Sequence, residues 1–410
     1  MKKYIFIILA LTPLLANAYN LKVDGIYYNI KKVDGKSVAV VTFGDWEPME
    51  EESSNDRYSG DIVIPETIVD HGFEFVVTQI GEFAFAGSVN LKSIILPQCL
   101  QAIKHSSFSG CERLTTIEIP NTVTTIEELA FYDCTLLESV TFGETLQSIG
   151  IWAFAHCERL KDVKFPQSLI KIGEFAFGEC YGLGSIVIPN SVSSIDHNPF
   201  ASCSNLKSIK VEIGNPVYDS RDECNAIIET LSNKLICGCQ STTIPNSVTI
   251  IGDQAFWGCE GLKSLSLPNS IEKVEDCAFG WCKGLRTLTI PNSVTQIGYS
   301  AFSCINLNLI ISEIKNPFEI GKNTFHDNAF MNATLKVPTG TKSIYESTNY
   351  WNLFQNIVDD GSSSIEEIKA SNIPHDVYDL HGKMVRQNAR TVDEFPKGVY
   401  IVEEKKVFIK

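Results

Sequence analysis

The stretch Leu114-Thr-Thr-Ile-Glu-Ile-Pro120-Asn-Thr-Val-Thr-Thr-Ile-Glu-Glu-Leu-Ala-Phe131-Tyr-Asp-Cys134 decides the fold of this chain. Its first six residues alternate apolar and polar side chains, which predicts a strand with one buried face. Pro120 ends the strand because proline cannot donate to a sheet, and the asparagine after it favours a turn. The Ala-Phe-x-x-Cys segment is too short for an independent helix. We interpret it as a single helical or 3₁₀ turn that buries Phe131 and Cys134.

The pattern recurs along the chain with a period of 23 residues. Its phenylalanines are Phe85, Phe108, Phe131, Phe154, Phe177 and Phe200, then Phe256, Phe279, Phe302 and Phe325. An aliphatic residue stands five positions before each one, and a proline series runs in the same phase. The longer gap between Phe200 and Phe256 indicates an insertion, which we place near residues 213–244. Units this short cannot bury their apolar faces alone, so we expect them to stack with parallel strands.

The full pattern resembles the BspA-type leucine-rich repeat of bacterial surface proteins. Written out, it is Leu-x-x-Ile-x-Ile-Pro-x-Ser-Val-x-x-Ile-Gly-x-x-Ala-Phe-x-x-Cys, and Pro189–Cys203 and Pro291–Cys304 come nearest to it, although Cys304 arrives one residue early. The resemblance implies a right-handed leucine-rich-repeat solenoid. It also implies a secreted or cell-surface location and, in some members, adhesion to host proteins.

The N-terminal residues predict export and a cap. Residues 1–18 combine two lysines, an apolar run and small residues at Ala16 and Ala18, which indicates a cleaved secretory signal peptide. No later stretch reaches the ~18 apolar residues of a membrane helix, so no integral membrane segment is expected. Residues 19–61 predict a cap, with a hairpin marked by Asp24-Gly25 and Asp34-Gly35 and then an acidic loop over Gly44–Ser59.

The solenoid is expected over residues 62–358, with its own C-terminal cap from about residue 326. In that cap, Lys342–Trp351 predicts a short amphipathic helix, and Trp351 and Phe354 would cover the last repeat. Residues 359–364 read as a linker and 365–410 as a small all-β module. The module's Tyr378–Gly382 turn, Pro396–Tyr400 strand and basic last strand are similar to the C-terminal sorting domains of Bacteroidetes secreted proteins. That resemblance implies outer-membrane translocation or surface attachment.

Composition and motifs argue against several functional classes. The 410-residue chain has a net charge of -15, which disfavours nucleic acid and anionic lipid as partners. It contains no nucleotide-binding glycine loop and no histidine pair at metal-ligand spacing. We therefore expect no enzyme, no cofactor and no metal. His156-Cys157 as a nucleophile pair and Asp219–Glu223 as a calcium loop are both disfavoured, against a solvent-facing histidine and a solvated acidic turn.

Thirteen cysteines in an exported chain raise the question of disulfides. Eight of them hold one repeat position: Cys111, Cys134, Cys157, Cys180, Cys203, Cys259, Cys282 and Cys304. We expect a buried ladder in which each thiol donates to a backbone carbonyl of the next repeat. In the insertion, Asn225–Glu229 and Lys234–Cys237 predict a hairpin. If Glu229 faces Lys234, Cys224 lies opposite Cys239, which leaves a disulfide and two buried thiols as alternatives.

Alternation along the repeat strands sends a row of serines, threonines and charged residues outward. The candidate binding face contains Glu118, Asp162, Lys164 and Lys210. The plain alternative is an exposed sheet surface, which serine and threonine suit. The leading hypothesis is a monomeric protein at the extracellular or outer-membrane surface that binds a protein ligand of a host or neighbouring cell. A structural spacer and a periplasmic scaffold are the alternatives.

Overall fold

The structure is a computed structural model, and it describes residues 19–44, residues 57–359 and the backbone of four strands between residues 375 and 409. The predicted signal peptide, most of the acidic loop and the predicted linker after residue 359 lie outside this part of the chain. The repeats form a right-handed solenoid of about 12 turns, which confirms the predicted leucine-rich-repeat architecture. Each turn is called a rung below.

The elements follow one another in chain order. The N-terminal end contains β1 (Leu21–Val23), β2 (Ile26–Val33), β3 (Lys36–Thr42), β4 (Gly60–Val63), β5 (Thr67–Asp70) and β6 (Phe73–Ile80). The first run of repeats contains β7 (Leu91–Ile95), β8 (Ala102–Ile103), β9 (Thr116–Glu118), β10 (Thr125–Ile126), β11 (Ser139–Thr141), β12 (Ser148–Ile149), β13 (Lys171–Ile172), β14 (Ser185–Ile188), β15 (Ser194–Ile195) and β16 (Ser208–Val211). The insertion contains β17 (Tyr218–Asp219), a 3₁₀ turn (Arg221–Glu223), β18 (Ala226–Glu229) and β19 (Lys234–Gly238).

The second run of repeats contains β20 (Ile250–Ile251), β21 (Ser264–Ser266), β22 (Lys273–Val274), β23 (Thr287–Ile290), β24 (Gln296–Ile297) and β25 (Leu309–Ser312). The end of the solenoid contains α1 (Asp327–Asn332), β26 (Thr334–Val337), α2 (Lys342–Ser347), a 3₁₀ turn (Trp351–Leu353) and β27 (Asn356–Asp359). The C-terminal strands β28 (His375–Tyr378), β29 (Met384–Ala389), β30 (Gly398–Val402) and β31 (Lys405–Ile409) form one antiparallel sheet in the order β29-β28-β30-β31.

Two parallel sheet faces run along the solenoid. The first face contains the longer strand of each rung, such as β9, β11, β14 and β16, and the second contains the two-residue strands, such as β8, β10 and β12. Pairing is in register at one period, because Ile126 lies beside Ile103 on one side and Ile149 on the other. Each rung therefore places the same repeat position at the same point of the cross-section.

The Ala-Phe-x-x-Cys segments form the third side of the solenoid as consecutive tight turns. Ala130 and Cys134 donate their N–H groups to carbonyls three residues back, as in the predicted 3₁₀ turn. Leu129 and Asp133 are left-handed, with φ of 57° and 59°, so the turn does not continue as a helix. Phe131 instead donates its N–H to the next rung at 2.7 Å. Backbone hydrogen bonds from each segment therefore join neighbouring rungs, and the segment is not a separate helical element.

A column of phenylalanine rings fills the core. From Phe85 to Phe200, neighbouring ring centroids lie 4.9–5.8 Å apart with interplanar angles of 1–24°. A second column runs from Phe256 to Phe325 with separations of 4.9–5.6 Å. These rings are almost completely buried, so each contacts both neighbours and excludes water along the axis.

The N-terminal cap covers the first ring. Tyr58 packs on Phe85 with ring centroids 4.5 Å apart, and its hydroxyl donates to the Thr42 carbonyl at 2.8 Å. The β2–β3 hairpin forms around the predicted Asp34-Gly35 turn. Strand β3 then pairs in parallel with β6, so the hairpin continues the second sheet face beyond the first repeat.

The C-terminal cap covers the last ring as the sequence predicts. Trp351 and Phe354 pack on Phe325 with ring centroids 5.8 Å and 5.2 Å away. The indole N–H of Trp351 donates to the Phe318 carbonyl at 2.9 Å. The predicted helix ends at Ser347, earlier than expected, because a separate 3₁₀ turn carries Trp351.

The insertion hairpin is buried between the two phenylalanine columns. Glu229 pairs with Lys234, as predicted. Ile227 packs into the core of the first run of repeats, whereas Ile228 and Leu235 pack into the core of the second. The hairpin is therefore a partition across the solenoid rather than a surface loop.

Of the two alternatives for Cys224 and Cys239, the structure has the buried thiols rather than the disulfide, and all thirteen cysteines are free. The register on which the disulfide rested changes at a bulge, where Ile236 is left without a partner. Continuing the shifted register places Cys239 beside Asn225 instead of Cys224. In addition, Cys224 belongs to the core of the second run of repeats and Cys239 to that of the first.

Replacing a ring in the middle of the first column tests how strongly stacking stabilises the solenoid. We expect Phe131→Ala to lower the free energy of unfolding by about 3–5 kcal/mol, because the cavity lies between two fixed rings. Urea denaturation followed by circular dichroism measures this. Phe73→Ala is the matched control, since Phe73 is 70% exposed and its loss should change stability by only about 0.5 kcal/mol. Equal effects of the two substitutions would contradict the stacking argument.

The partition can be tested at Gly238, where an added Cβ would lie 2.2 Å from Cε1 of Phe256. We expect Gly238→Ala to lower the free energy of unfolding by about 1–3 kcal/mol through overpacking. Gly184→Ala is the control, because a Cβ on Gly184 meets no atom within 4 Å. If the two variants melt at the same temperature, the close packing of the partition against Phe256 is wrong.

Candidate binding surface

The first sheet face presents two outward rows of side chains that run across the strands. One row holds hydroxyls, with Ser139 beside Thr116 and Ser208 beside Ser185. The other row holds Glu118 beside Thr141, and Val187 beside Lys210. The intervening residues of each strand are buried, so alternation fixes which side chains face solvent.

The structure places all four predicted binding residues on this face, and all four are exposed. The 23-residue period puts Lys164 beside Val187, so Lys164 and Lys210 lie two rungs apart, or about 10 Å. Glu118 is four rungs from Lys210, about 19 Å away, and belongs to a different part of the face. Asp162 lies in the hydroxyl row, where it forms a parallel bridge with Ser139.

Sequence reasoning missed the exposed residue that begins each strand segment. Lys161 and Lys207 each stand one residue before a member of the hydroxyl row, and both are exposed. The backbone N–H of Lys207 already donates to the Gly184 carbonyl of the preceding rung at 3.0 Å. Alternation counted along the strand does not indicate that these residues are exposed, because each follows a buried leucine and precedes an outward residue. Their recurrence one repeat after another would have indicated it.

Comparison with known proteins agrees with this architecture. Six copies of the BspA type leucine rich repeat region match residues 78–207 and 230–356, more than half of the chain. The chain belongs to the BspA-type leucine-rich-repeat family. The gap between the two matched ranges, residues 208–229, covers β16 and the first part of the insertion that divides the core.

Solved structures with a similar fold come from several bacteria. The Pneumococcal vaccine antigen PcpA is 18% identical with a TM-score of 0.54, and the match covers 84% of this chain and 100% of that one. A leucine-rich repeat protein from Eubacterium ventriosum is 20% identical with a TM-score of 0.52, covering 82% and 83%. A leucine rich cell surface protein from Faecalibacterium prausnitzii is 21% identical with a TM-score of 0.49, covering 84% and 95%. At these identities the likeness shows the fold alone. No curated protein matches the chain.

The repeat cysteines of this BspA-type chain are structural donors. Seven of the eight donate Sγ–H to the carbonyl of a repeat phenylalanine at 2.9–3.3 Å. The acceptor lies in the preceding rung and not, as predicted, in the next one, because the ladder of tight turns points that carbonyl toward the thiol. The eighth, Cys259, follows the insertion, so no repeat phenylalanine stands one period before Phe256 to accept from its thiol. Burial raises the pKa of Cys111 and of Cys203 to about 12.

The other residues considered for catalysis or metal binding take part in structural contacts. His156 lies 3.5 Å from Glu179, while the neighbouring thiol of Cys157 points into the core and donates to Phe131. Partial burial would raise the pKa of Asp219, but hydrogen bonds from Arg221 hold it below its usual value. Within the described residues, no three His, Cys, Asp or Glu side chains converge on a metal position. Every helix of the described chain is too short or too polar to cross a membrane.

The thiol ladder predicts the outcome of an alkylation experiment. Denaturation without reductant, followed by alkylation and intact-mass analysis, should add thirteen groups, because every cysteine is free. In the native protein at neutral pH, the partly exposed Cys99, Cys259 and Cys277 should react well before the seven buried ladder thiols, because the reagent cannot reach a buried sulfur. Two fewer groups after denaturation would reveal a disulfide and contradict the structure.

Proposed function

We propose that this BspA-type chain is an exported, non-catalytic protein that binds a protein ligand of a host or neighbouring cell. Its place would be the extracellular or outer-membrane surface. The predicted signal peptide and the resemblance to bacterial surface repeats support this location. The first sheet face supports the binding role, because exposed polar and charged side chains lie in register on it from rung to rung.

The observation that carries the proposal is the common exposure of Glu118, Asp162, Lys164 and Lys210 on that face. The strands beneath them are held by hydrogen bonds between rungs, so binding would cost little backbone entropy. The side chains of the hydroxyl row can both donate and accept, which suits a protein ligand with mixed polar groups. Charge at the margins would then orient the ligand and speed its association.

The C-terminal residues have a separate proposed role. Strands β28–β31 form an antiparallel sheet, in line with an all-β module over residues 365–410. We assign this module to translocation or surface attachment, on its resemblance to sorting domains. The solenoid, from residue 62 to residue 358, would then present the binding face away from the membrane.

A charge-reversal variant tests the face. Lys164→Glu with Lys210→Glu should weaken binding to a captured host matrix protein at least about tenfold, or roughly 1.4 kcal/mol. Surface plasmon resonance against immobilised matrix proteins measures this. Lys32→Glu with Lys36→Glu makes the same charge change on the exposed N-terminal hairpin and should leave affinity unchanged. Unchanged binding by the first variant would exclude the face, and failure of the wild-type chain to bind any matrix protein would favour a spacer.

A further inference from the structure

Positive charge is concentrated on part of the first sheet face, although the chain carries a net charge of -15. Lysines stand at both ends of two strand segments, and we call these four the lysine quartet: Lys161, Lys164, Lys207 and Lys210. All four are exposed. The strand between them, β14, contributes Ser185 and Val187 and no charge. On the far side of the insertion, Lys263 and Arg286 hold the same repeat position as Lys207.

The quartet frames a patch of defined size. Strands lie about 4.8 Å apart and residues rise about 3.3 Å along a strand, so the patch measures about 10 Å in each direction. Val187 pairs with Lys210 and Ser185 with Ser208, which places these side chains on the floor of the patch. Val187 is 48% exposed. The patch therefore has a border of four lysines that also includes Asp162, and one apolar side chain and two hydroxyls complete it.

The folded chain neutralises little of this charge. Among the described residues, Lys161 is the one member of the quartet with an ion pair, 3.5 Å from Glu138. Asp162 is the single carboxylate on the strand segments that carry the quartet. Glu212 follows β16 at the margin, where its carboxylate accepts from Nε2 of Gln167 at 3.0 Å. Like charges held this close repel one another, and a bound anion would relieve that repulsion.

We propose that the lysine quartet binds an acidic, extended segment of the protein ligand. This inference rests on the proposed function, because it gives the partner chemistry for the same face. In an extended chain every second side chain faces the same way, about 6.6 Å apart. Carboxylates four positions apart therefore span about 13 Å and can meet the long side chains of Lys164 and Lys210 together, with the side chain midway between them facing the same surface. An apolar side chain between them contacts Val187, and the serines donate to the remaining carboxylate oxygens. A polyanionic glycan would satisfy the lysines but would make no use of Val187.

Labelled peptides test this by fluorescence anisotropy with the full exported chain. The probes carry their three interacting residues at alternate positions with serine between them. They are Glu-Ser-Val-Ser-Glu (called Glu-Val-Glu), Gln-Ser-Val-Ser-Gln (Gln-Val-Gln), Glu-Ser-Ser-Ser-Glu (Glu-Ser-Glu) and heparin as a sulfated glycan. Glu-Val-Glu should bind, and Lys164→Gln with Lys210→Gln should weaken it about tenfold or more. Val187→Ser should weaken Glu-Val-Glu severalfold and leave Glu-Ser-Glu unchanged. Lys32→Gln with Lys36→Gln is the control, with the same loss of charge on the N-terminal hairpin, and should bind like wild type.

Three results would overturn the inference. Equal binding of Gln-Val-Gln would show that carboxylates are not recognised, and heparin binding without peptide binding would point to a glycan. The third result is that Lys164→Gln with Lys210→Gln abolishes binding to a matrix protein while no acidic peptide binds the wild-type chain. In that case the face still binds protein, but not an acidic segment. That third result separates this inference from the proposed function. Circular dichroism of each variant confirms that the exposed substitutions leave the fold intact.

Discussion

Each rung depends on hydrogen bonds and ring contacts that only its two neighbours can supply. The turn N–H groups donate to the next rung, the thiols donate to the preceding one, and the phenylalanine rings stack on both. This mutual dependence favours a constant period, since a rung out of register would lose all three contacts together. Cys304 shows that the thiol contact is kept even where the spacing in the sequence changes by one residue. It arrives one residue early, yet its thiol still reaches the Phe279 carbonyl at 2.9 Å.

At the insertion, side-chain hydrogen bonds replace some of the backbone hydrogen bonds that join neighbouring rungs elsewhere. Asn198 stands at a turn position that is left-handed in most other rungs, and it is 1% exposed. Its amide donates to the Gln254 carbonyl at 2.9 Å, and its oxygen accepts from Phe200 and from the Cys237 thiol. One buried side chain thus joins the last rung of the first run to the insertion and to the second run. Asn198 thereby pairs the Gln254 and Ala255 carbonyls and the Phe200 N–H at the junction of the two columns, although the side-chain Oε1 of Gln254 is buried there without a hydrogen-bond partner.

Repeat positions were predictable from the sequence because each is determined by contacts that recur. The buried series through Phe131 and Cys134 and the outward direction of Lys164 follow from period and alternation alone. Features that occur once were not predictable in the same way. The bulge at Ile236 shifts the hairpin register because the strand must fit between two existing cores, which no local pattern records. The sequence predicts a single helical or 3₁₀ turn here rather than consecutive tight turns, because left-handed residues such as Leu129 carry no distinctive side chain.

Separation of buried and outward positions explains why this fold can carry an unusual local charge. The contacts that hold β14 and β16 involve backbone groups and inward aliphatics, so outward lysines are not needed for stacking. Charges of one sign on neighbouring strands make the free chain somewhat less stable, by about 0.2–1 kcal/mol for directly opposed pairs. Val187 between Lys164 and Lys210 reduces this cost by keeping the two lysines one strand further apart. The same spacing leaves a gap that an anionic side chain can enter, which connects the tolerance of the fold to its proposed recognition.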